Sequence, residues 1–200
     1  MKVCVVDSGT GNLRSLGNAL TLLGVSHETR TEPRGPSPDV ILLPGVGSFG
    51  HAMGRLDASG WASFLREWAS EGGAIVGICL GLQLLFEGSE ESPGVQGLGL
   101  FAGGVRRLCS RMAKVPHIGW AKLEGAQEGS PEARLEWAYF VHSYAAKPVD
   151  ARDVPAWARH GEVFPAAVRR GRVAGVQFHP EKSHRAGVAY LGALLREVAR

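Results

Sequence analysis

The 200-residue chain has only three cysteines, Cys4, Cys79 and Cys109, widely spaced and without a CxxC pair. An odd, scattered set argues against both a disulfide framework and a zinc site, so a reducing cytoplasm is the expected setting and no metal or cofactor is implied. Charge of one sign is also lacking: 22 basic against 19 acidic residues give a formal +3, spread along the chain. That balance predicts neither a nucleic-acid-binding stripe nor a polybasic membrane anchor. No apolar run approaches the length of a membrane span. The opening Met1 to Asp7 reads as a first strand, without the apolar core and small-residue cleavage site of a signal peptide. No repeat is evident, and the one linker-like stretch, Glu32 to Pro38, is short enough for a surface loop.

With 44% hydrophobic residues the chain can close one substantial core, and a single domain over 1–200 is expected. Short apolar runs at Val3 to Val6, Val40 to Leu43, Ala74 to Ile78, Tyr139 to Val141 and Val173 to Phe178 suit buried strands. Helical spacing appears over Asn12 to Leu23, Trp61 to Ala69, Leu80 to Phe86 and Ser183 to Val198. The alternation predicts an α/β fold with a mainly parallel central sheet, covered by helices on both faces. Runs at Val105 to Cys109, Ala156 to Arg159 and Ala166 to Arg169 read as antiparallel strand additions in the second half.

The most informative segment is Gly73 to Phe86, where an apolar strand passes through Gly77-Ile-Cys79-Leu-Gly81 into an apolar helix. This is the strand, turn and helix of a nucleophile elbow. Gly77 and Gly81 keep bulk away from the turn, and the sulfur would stand at the carboxyl end of the sheet. Unpaired N–H groups at the helix start favour thiolate, and the Leu80 N–H is placed to donate to an oxyanion. Burial as a small hydrophobe accounts for Cys4 and Cys109, but leaves the glycines flanking Cys79 unexplained.

A strand ending in Gln177-Phe-His179-Pro180-Glu181 supplies a base and its orienter. Pro180 biases His179 toward extended backbone, where residues two apart project to one side, so Glu181 can accept from one imidazole nitrogen while the other faces a thiol. His142, which also ends an apolar run, is the rival base; His27, His51 and His160 are read as structural. Sequence alone does not bring His179 to Cys79. A Gly9-x-Gly11 turn after the first strand raises a nucleotide-binding module, which fails because the third fingerprint glycine falls at Arg14 and no GK[ST] follows.

Five segments together carry a resemblance: Pro44 to Gly50 (PGVGSFG), Gly77 to Gln83 (GICLGLQ), Val115 to Trp120 (VPHIGW), Tyr139 to Tyr144 (YFVHSY) and Gly175 to Ser183 (GVQFHPEKS). The second and fifth resemble the class I, triad-type glutamine amidotransferases, whose fold is flavodoxin-like. The others are similar to the glutaminase subunits of imidazole glycerol phosphate synthase in histidine biosynthesis. The resemblance implies Cys79 as nucleophile, His179 as general acid and base, and Glu181 as orienter, with an oxyanion hole from the backbone N–H groups of Val46 and Leu80. It assigns Gly47, Gln83, Glu91, Ser143 and Tyr144 to holding glutamine. It implies a heterodimer with a barrel-shaped cyclase subunit that consumes the ammonia, docked through Trp120 and Lys182, with Asn12 and Tyr139 near the ammonia route. On residues alone, Trp120 reads equally well as core. A cysteine hydrolase acting on other carbonyl compounds would need the elbow without the glutamine-holding segments.

Overall fold

The computed structural model describes residues 1–9, 13–109, 111 and 113–200. Its elements are β1 (Lys2–Val6), α1 (Leu13–Leu22), β2 (Ser26–Arg30), β3 (Val40–Gly45), α2 (Phe49–Ala58), α3 (Trp61–Ser70), β4 (Ala74–Cys79) and α4 (Leu80–Leu84) in the first half. The second half contributes β5 (Gly103–Arg107), β6 (His117–Lys122), β7 (Trp137–His142), β8 (Tyr144–Pro148), β9 (Ala156–His160), β10 (Glu162–Arg170), β11 (Val173–Val176) and α5 (His184–Val198). A seven-stranded sheet runs β2-β1-β3-β4-β11-β10-β9. Pairing is parallel from β2 through β11 and antiparallel for β11 with β10 and β10 with β9. The α/β architecture with antiparallel additions therefore stands as expected.

The continuous apolar runs become the central strands because every residue of β3 and β4 is buried, on both faces. One face packs on α1 and α5 through Leu16, Leu20, Leu191 and Leu195. The other packs on α2, α3 and α4 through Phe49, Met53, Trp61, Leu65 and Leu82. Tyr139 to Val141 forms a strand outside this sheet: β7 pairs antiparallel with β6, and β5 with β8, as two separate two-stranded ribbons.

Elements without a clear sequence signal have physical reasons for that. Strand β2 (SHETR) pairs on one side only, with β1, and its mixed polarity suits a sheet edge. Helix α2 carries Gly50 and Gly54, which depress helix propensity. It forms because Phe49, Ala52, Met53 and Leu56 bury one face. Its start is held from elsewhere in the chain: Glu91 Oε2 accepts from the Phe49 N–H at 2.7 Å and Ser92 Oγ from the Gly50 N–H at 2.9 Å. Strand β11 stops at Val176, two residues short of the expected end, because Gln177 and Phe178 turn the chain out of the sheet toward His179.

Candidate functional site

Cys79 closes β4 and precedes α4 at the carboxyl end of the sheet, with φ 56° and ψ −110°. A non-glycine residue there is strained by about 1–3 kcal/mol, tolerated where the surroundings fix it. The surroundings are backbone. A Cβ on Gly81 would lie 1.8 Å from the Leu43 carbonyl oxygen, and one on Gly77 2.6 Å from the Gly81 carbonyl. The glycines thus let α4 press directly onto β3 and β4, while the turn strain sits on the cysteine itself. Helix α4 has only five residues, so its dipole is a smaller aid to a thiolate than the sequence implies.

His179 is placed by backbone and hydroxyl contacts. Its N–H donates to the Tyr139 carbonyl at 2.9 Å, and its own carbonyl accepts from Ser183 Oγ at 2.7 Å. Nδ1 lies 2.8 Å from Glu181 Oε1 and donates, since a carboxylate has no hydrogen to give. The expected contact forms by a different route: His179 is extended, but Pro180–Lys182 is a 3-10 turn that folds Glu181 back. Burial opposes charge on His179. The Cys79 sulfur and the Glu181 carboxylate outweigh it and raise the imidazole pKa to about 9. Nε2 is buried without a conventional hydrogen-bond partner, near the sulfur that raises its pKa.

Cys79 and His179 line a cavity of about 430 Å³ together with Val46, Gly47, Leu80, Gln83, Glu91, Ser143, Tyr144 and Lys182. Positions singled out in five separate stretches of sequence thus share one space. Glu181 stands behind His179, outside this cavity. A Cβ on Gly47 (φ 95°) would meet nothing within 4 Å, whereas Gly45 abuts Leu80 and Gly81, so peptide freedom beside Val46 lies on the Gly47 side. Glu91 already uses one carboxylate oxygen to hold α2. Leu80, at the first helical position, offers an N–H that the helix leaves unpaired.

His142, the rival base, also lines this cavity, but both of its ring nitrogens are already engaged. Its Nδ1 donates to the Tyr144 carbonyl at 2.9 Å, so Nε2 is the acceptor for His117 Nδ1 at 3.3 Å. Burial pushes its pKa down to about 3, with His117, His160 and His179 adding to the fall against the Tyr144 bond. His160 stacks on His117 with ring centroids 4.1 Å apart and bonds the Lys114 carbonyl. Trp120 is 42% exposed, stacked on His184 at 4.7 Å and edge-on to Tyr139, which excludes its reading as core. Asn12 lies outside the described residues. Cys4 is buried as expected, and burial, with Glu28 adding and Arg30 opposing, raises its pKa to about 11; Cys109 is exposed, contrary to expectation, because the chain leaves β5 for the surface before reaching it.

One residue at the centre of the site carried no separate signal. Gln177 is fully buried, with Nε2 3.7 Å from Cys79 Sγ and Oε1 accepting from Gln83 Nε2 at 3.0 Å. Its position two residues before His179 was the available cue. Among the described residues no group of three or more His, Cys, Asp or Glu could hold a metal ion, and no helix is long and apolar enough to cross a membrane.

A family model described as "Glutamine amidotransferase class-I" matches residues 5–195. The imidazole glycerol phosphate synthase subunit HisH of Synechococcus sp. (strain CC9902) is 45% identical over 197 residues, covering 94% of this chain and 90% of that protein. The HisH subunit of Thermotoga maritima is 39% identical, covering 94% and 92%. The chloroplastic imidazole glycerol phosphate synthase hisHF of Arabidopsis thaliana is 41% identical over 96% of this chain but only 34% of its own length. A solved structure described as "Crystal structure of glutamine amidotransferase" superposes with a TM-score of 0.75 at 23% identity, covering 96% of this chain and 97% of that one, a likeness of fold.

Proposed function

We infer the reaction from the premise that the chain belongs to the class-I glutamine amidotransferase family, among the HisH subunits of imidazole glycerol phosphate synthase. It is a glutaminase that releases ammonia from glutamine for histidine biosynthesis. Cys79 attacks the side-chain amide carbon, forming a thioester; His179 gives its proton to the departing ammonia; water, deprotonated by His179, then releases glutamate and restores the thiol. A pKa raised to about 9 keeps His179 protonated at neutral pH, suited to the first proton transfer. Glu181 holds the imidazole with Nε2 toward the sulfur. The observation that carries this reading is a strained cysteine elbow facing a histidine that a buried carboxylate orients.

Each tetrahedral step develops an oxyanion, for which the N–H groups of Val46 and Leu80 are the donors. Removing one such donor typically costs about 3 kcal/mol of transition-state stabilisation. Open space at Gly47 supports a Val46 peptide that can turn, and the hole is complete only when a partner is bound. Gly47, Gln83, Glu91 and the backbone of Ser143 and Tyr144 hold glutamine: the free Glu91 oxygen suits its ammonium, and backbone N–H groups suit its carboxylate.

The partner is the barrel-shaped cyclase subunit that makes imidazole glycerol phosphate with the ammonia. The outer face of the β6–β7 ribbon supports a docking surface: Ile118, Trp120 and Trp137 are 62%, 42% and 50% exposed, with Val141 and Tyr139 paired across from the first two. Lys182 stands at the cavity beside it. Exposed aromatic side chains of this kind, once buried by a partner, carry much of an interface's energy. The large unmatched remainder of the Arabidopsis relative fits a partner fused to the same segment. Free cysteines suit a cytoplasmic setting. Ammonia release from glutamine, measured with and without the cyclase for wild type, Cys79→Ala and Trp120→Ala, tests the reading. Activity is expected only in the pair, abolished by Cys79→Ala and weakened by Trp120→Ala through partner affinity. No glutaminase activity in the wild-type pair would sink the assignment, and full turnover by the isolated chain would sink the partner-completed hole.

A further inference from the structure

The hydrogen-bond polarity around Cys79 can be read from one fixed point. The Tyr144 carbonyl has no hydrogen to give, so the Gln83 atom 2.9 Å away is its amide nitrogen. That nitrogen also lies 3.0 Å from the Gln177 side chain, which must therefore present its oxygen. The other end of the Gln177 amide, a nitrogen with hydrogens to donate, is then the atom 3.7 Å from Cys79 Sγ. Both amides are oriented in series by a single backbone carbonyl. Gln177 is fully buried, and Gln83 is 5% exposed, so water cannot substitute for these partners.

Resting on Cys79 as the nucleophile, we propose that Gln177 is a positioning residue with two separable effects: its N–H at the sulfur favours the thiolate, and its oxygen takes up the second Gln83 hydrogen so that Gln83 shows the cavity only its own carbonyl oxygen. The first effect follows because an N–H donor stabilises the anionic sulfur more than the neutral thiol. It supplies what the short α4 provides only weakly. The second follows from donor inventory. Gln83 Nε2 has two hydrogens, one donated to Tyr144 and one to Gln177, so only its oxygen is left for a ligand in the cavity it lines. An acceptor at that wall attracts an ammonium or a carboxamide NH2 and repels a carboxylate. Without Gln177 the Tyr144 bond remains but the second Gln83 hydrogen is released toward the cavity, and this discrimination weakens.

Two variants separate the effects. Gln177→Glu keeps an oxygen toward Gln83 but puts a second oxygen where the N–H stood. Gln177→Leu removes both. In a Cys109→Ser background, the rate of iodoacetamide modification of Cys79, followed by mass spectrometry across pH, reports thiolate formation without requiring turnover. Both variants should move the midpoint up by about one pH unit, lowering the rate about tenfold below the midpoint. Steady-state glutamine hydrolysis with the partner present should show lowered kcat in both, and raised KM for glutamine only in Gln177→Leu. The side-chain amide ¹⁵N–H signals of Gln177 in the wild-type chain, titrated through the same midpoint, give a reading that needs no variant at that position. Unchanged alkylation midpoints in both variants, or amide signals that ignore thiol ionisation, overturn the proposal. Absence of glutaminase activity in the wild type with partner would instead overturn the reading of Cys79 as nucleophile, leaving the alkylation result intact.

Discussion

Lowering the pH from 7 to 5 should destabilise the isolated chain by roughly 3 kcal/mol, and His117 and His142 are responsible. They are 3% and 6% exposed, and burial holds their pKa values down to about 4 and about 3, with His160 adding a repulsive charge to both. Unfolded, both titrate near 6.5. The unfolded chain therefore takes up protons that the folded chain cannot, and stability falls as pH drops from about 6.5 toward 4. From pH 7 to 5 each group contributes a loss of about 2 kcal/mol. His179 acts in the opposite sense: its folded pKa is raised to about 9, so its contribution is complete below 6.5 and is lost as pH rises through 9. Over the same interval it returns about 1 kcal/mol. Urea unfolding at the two pH values measures the net, and with a slope of about 2–3 kcal/mol per molar the midpoint should fall by about 1–1.5 M. His142→Gln should remove about half of the acid sensitivity contributed by the pair. Equal wild-type midpoints at pH 7 and 5, or a His142→Gln chain with the full wild-type pH dependence, would refute the reasoning.

Gly81→Ala should destabilise the chain by about 3 kcal/mol or more, since a methyl 1.8 Å from the Leu43 carbonyl forces α4 off β3; a thermal melt within a degree or two of wild type would contradict the packing described. Glu181→Gln should lower kcat by about 10²-fold with the partner present and bring the His179 pKa down, because the charge accepting from Nδ1 is gone; an unshifted pH–rate profile would show that Glu181 does not govern the histidine.

The elbow, the histidine with its acid, and the alternation of strands and helices were legible in the sequence because each is local. Glycines at 77 and 81, a Pro-Glu step after His179, and continuous apolar runs constrain backbone within a few residues of themselves. Even so, the local reading of Glu181 gave the right contact through the wrong backbone, since a proline permits a 3-10 turn as readily as an extended step. What only the tertiary structure decided is non-local. The meeting of Cys79 with His179 depends on β4 and β11 lying side by side in parallel, with Val176 opposite Ile78. The start of α2 depends on Glu91 and Ser92, some forty residues downstream, and the exposure of Trp120 depends on β6 and β7 pairing outside the main sheet. The orientation of Gln177 and Gln83 depends on a carbonyl from β8. Hydrogen-bond polarity of this kind is a property of which atoms face each other, and one-dimensional spacing carries no record of it. The sequence by itself therefore determined which residue types could do the chemistry, and the fold determined which of them share a cavity, which are neutral, and which way their donors point.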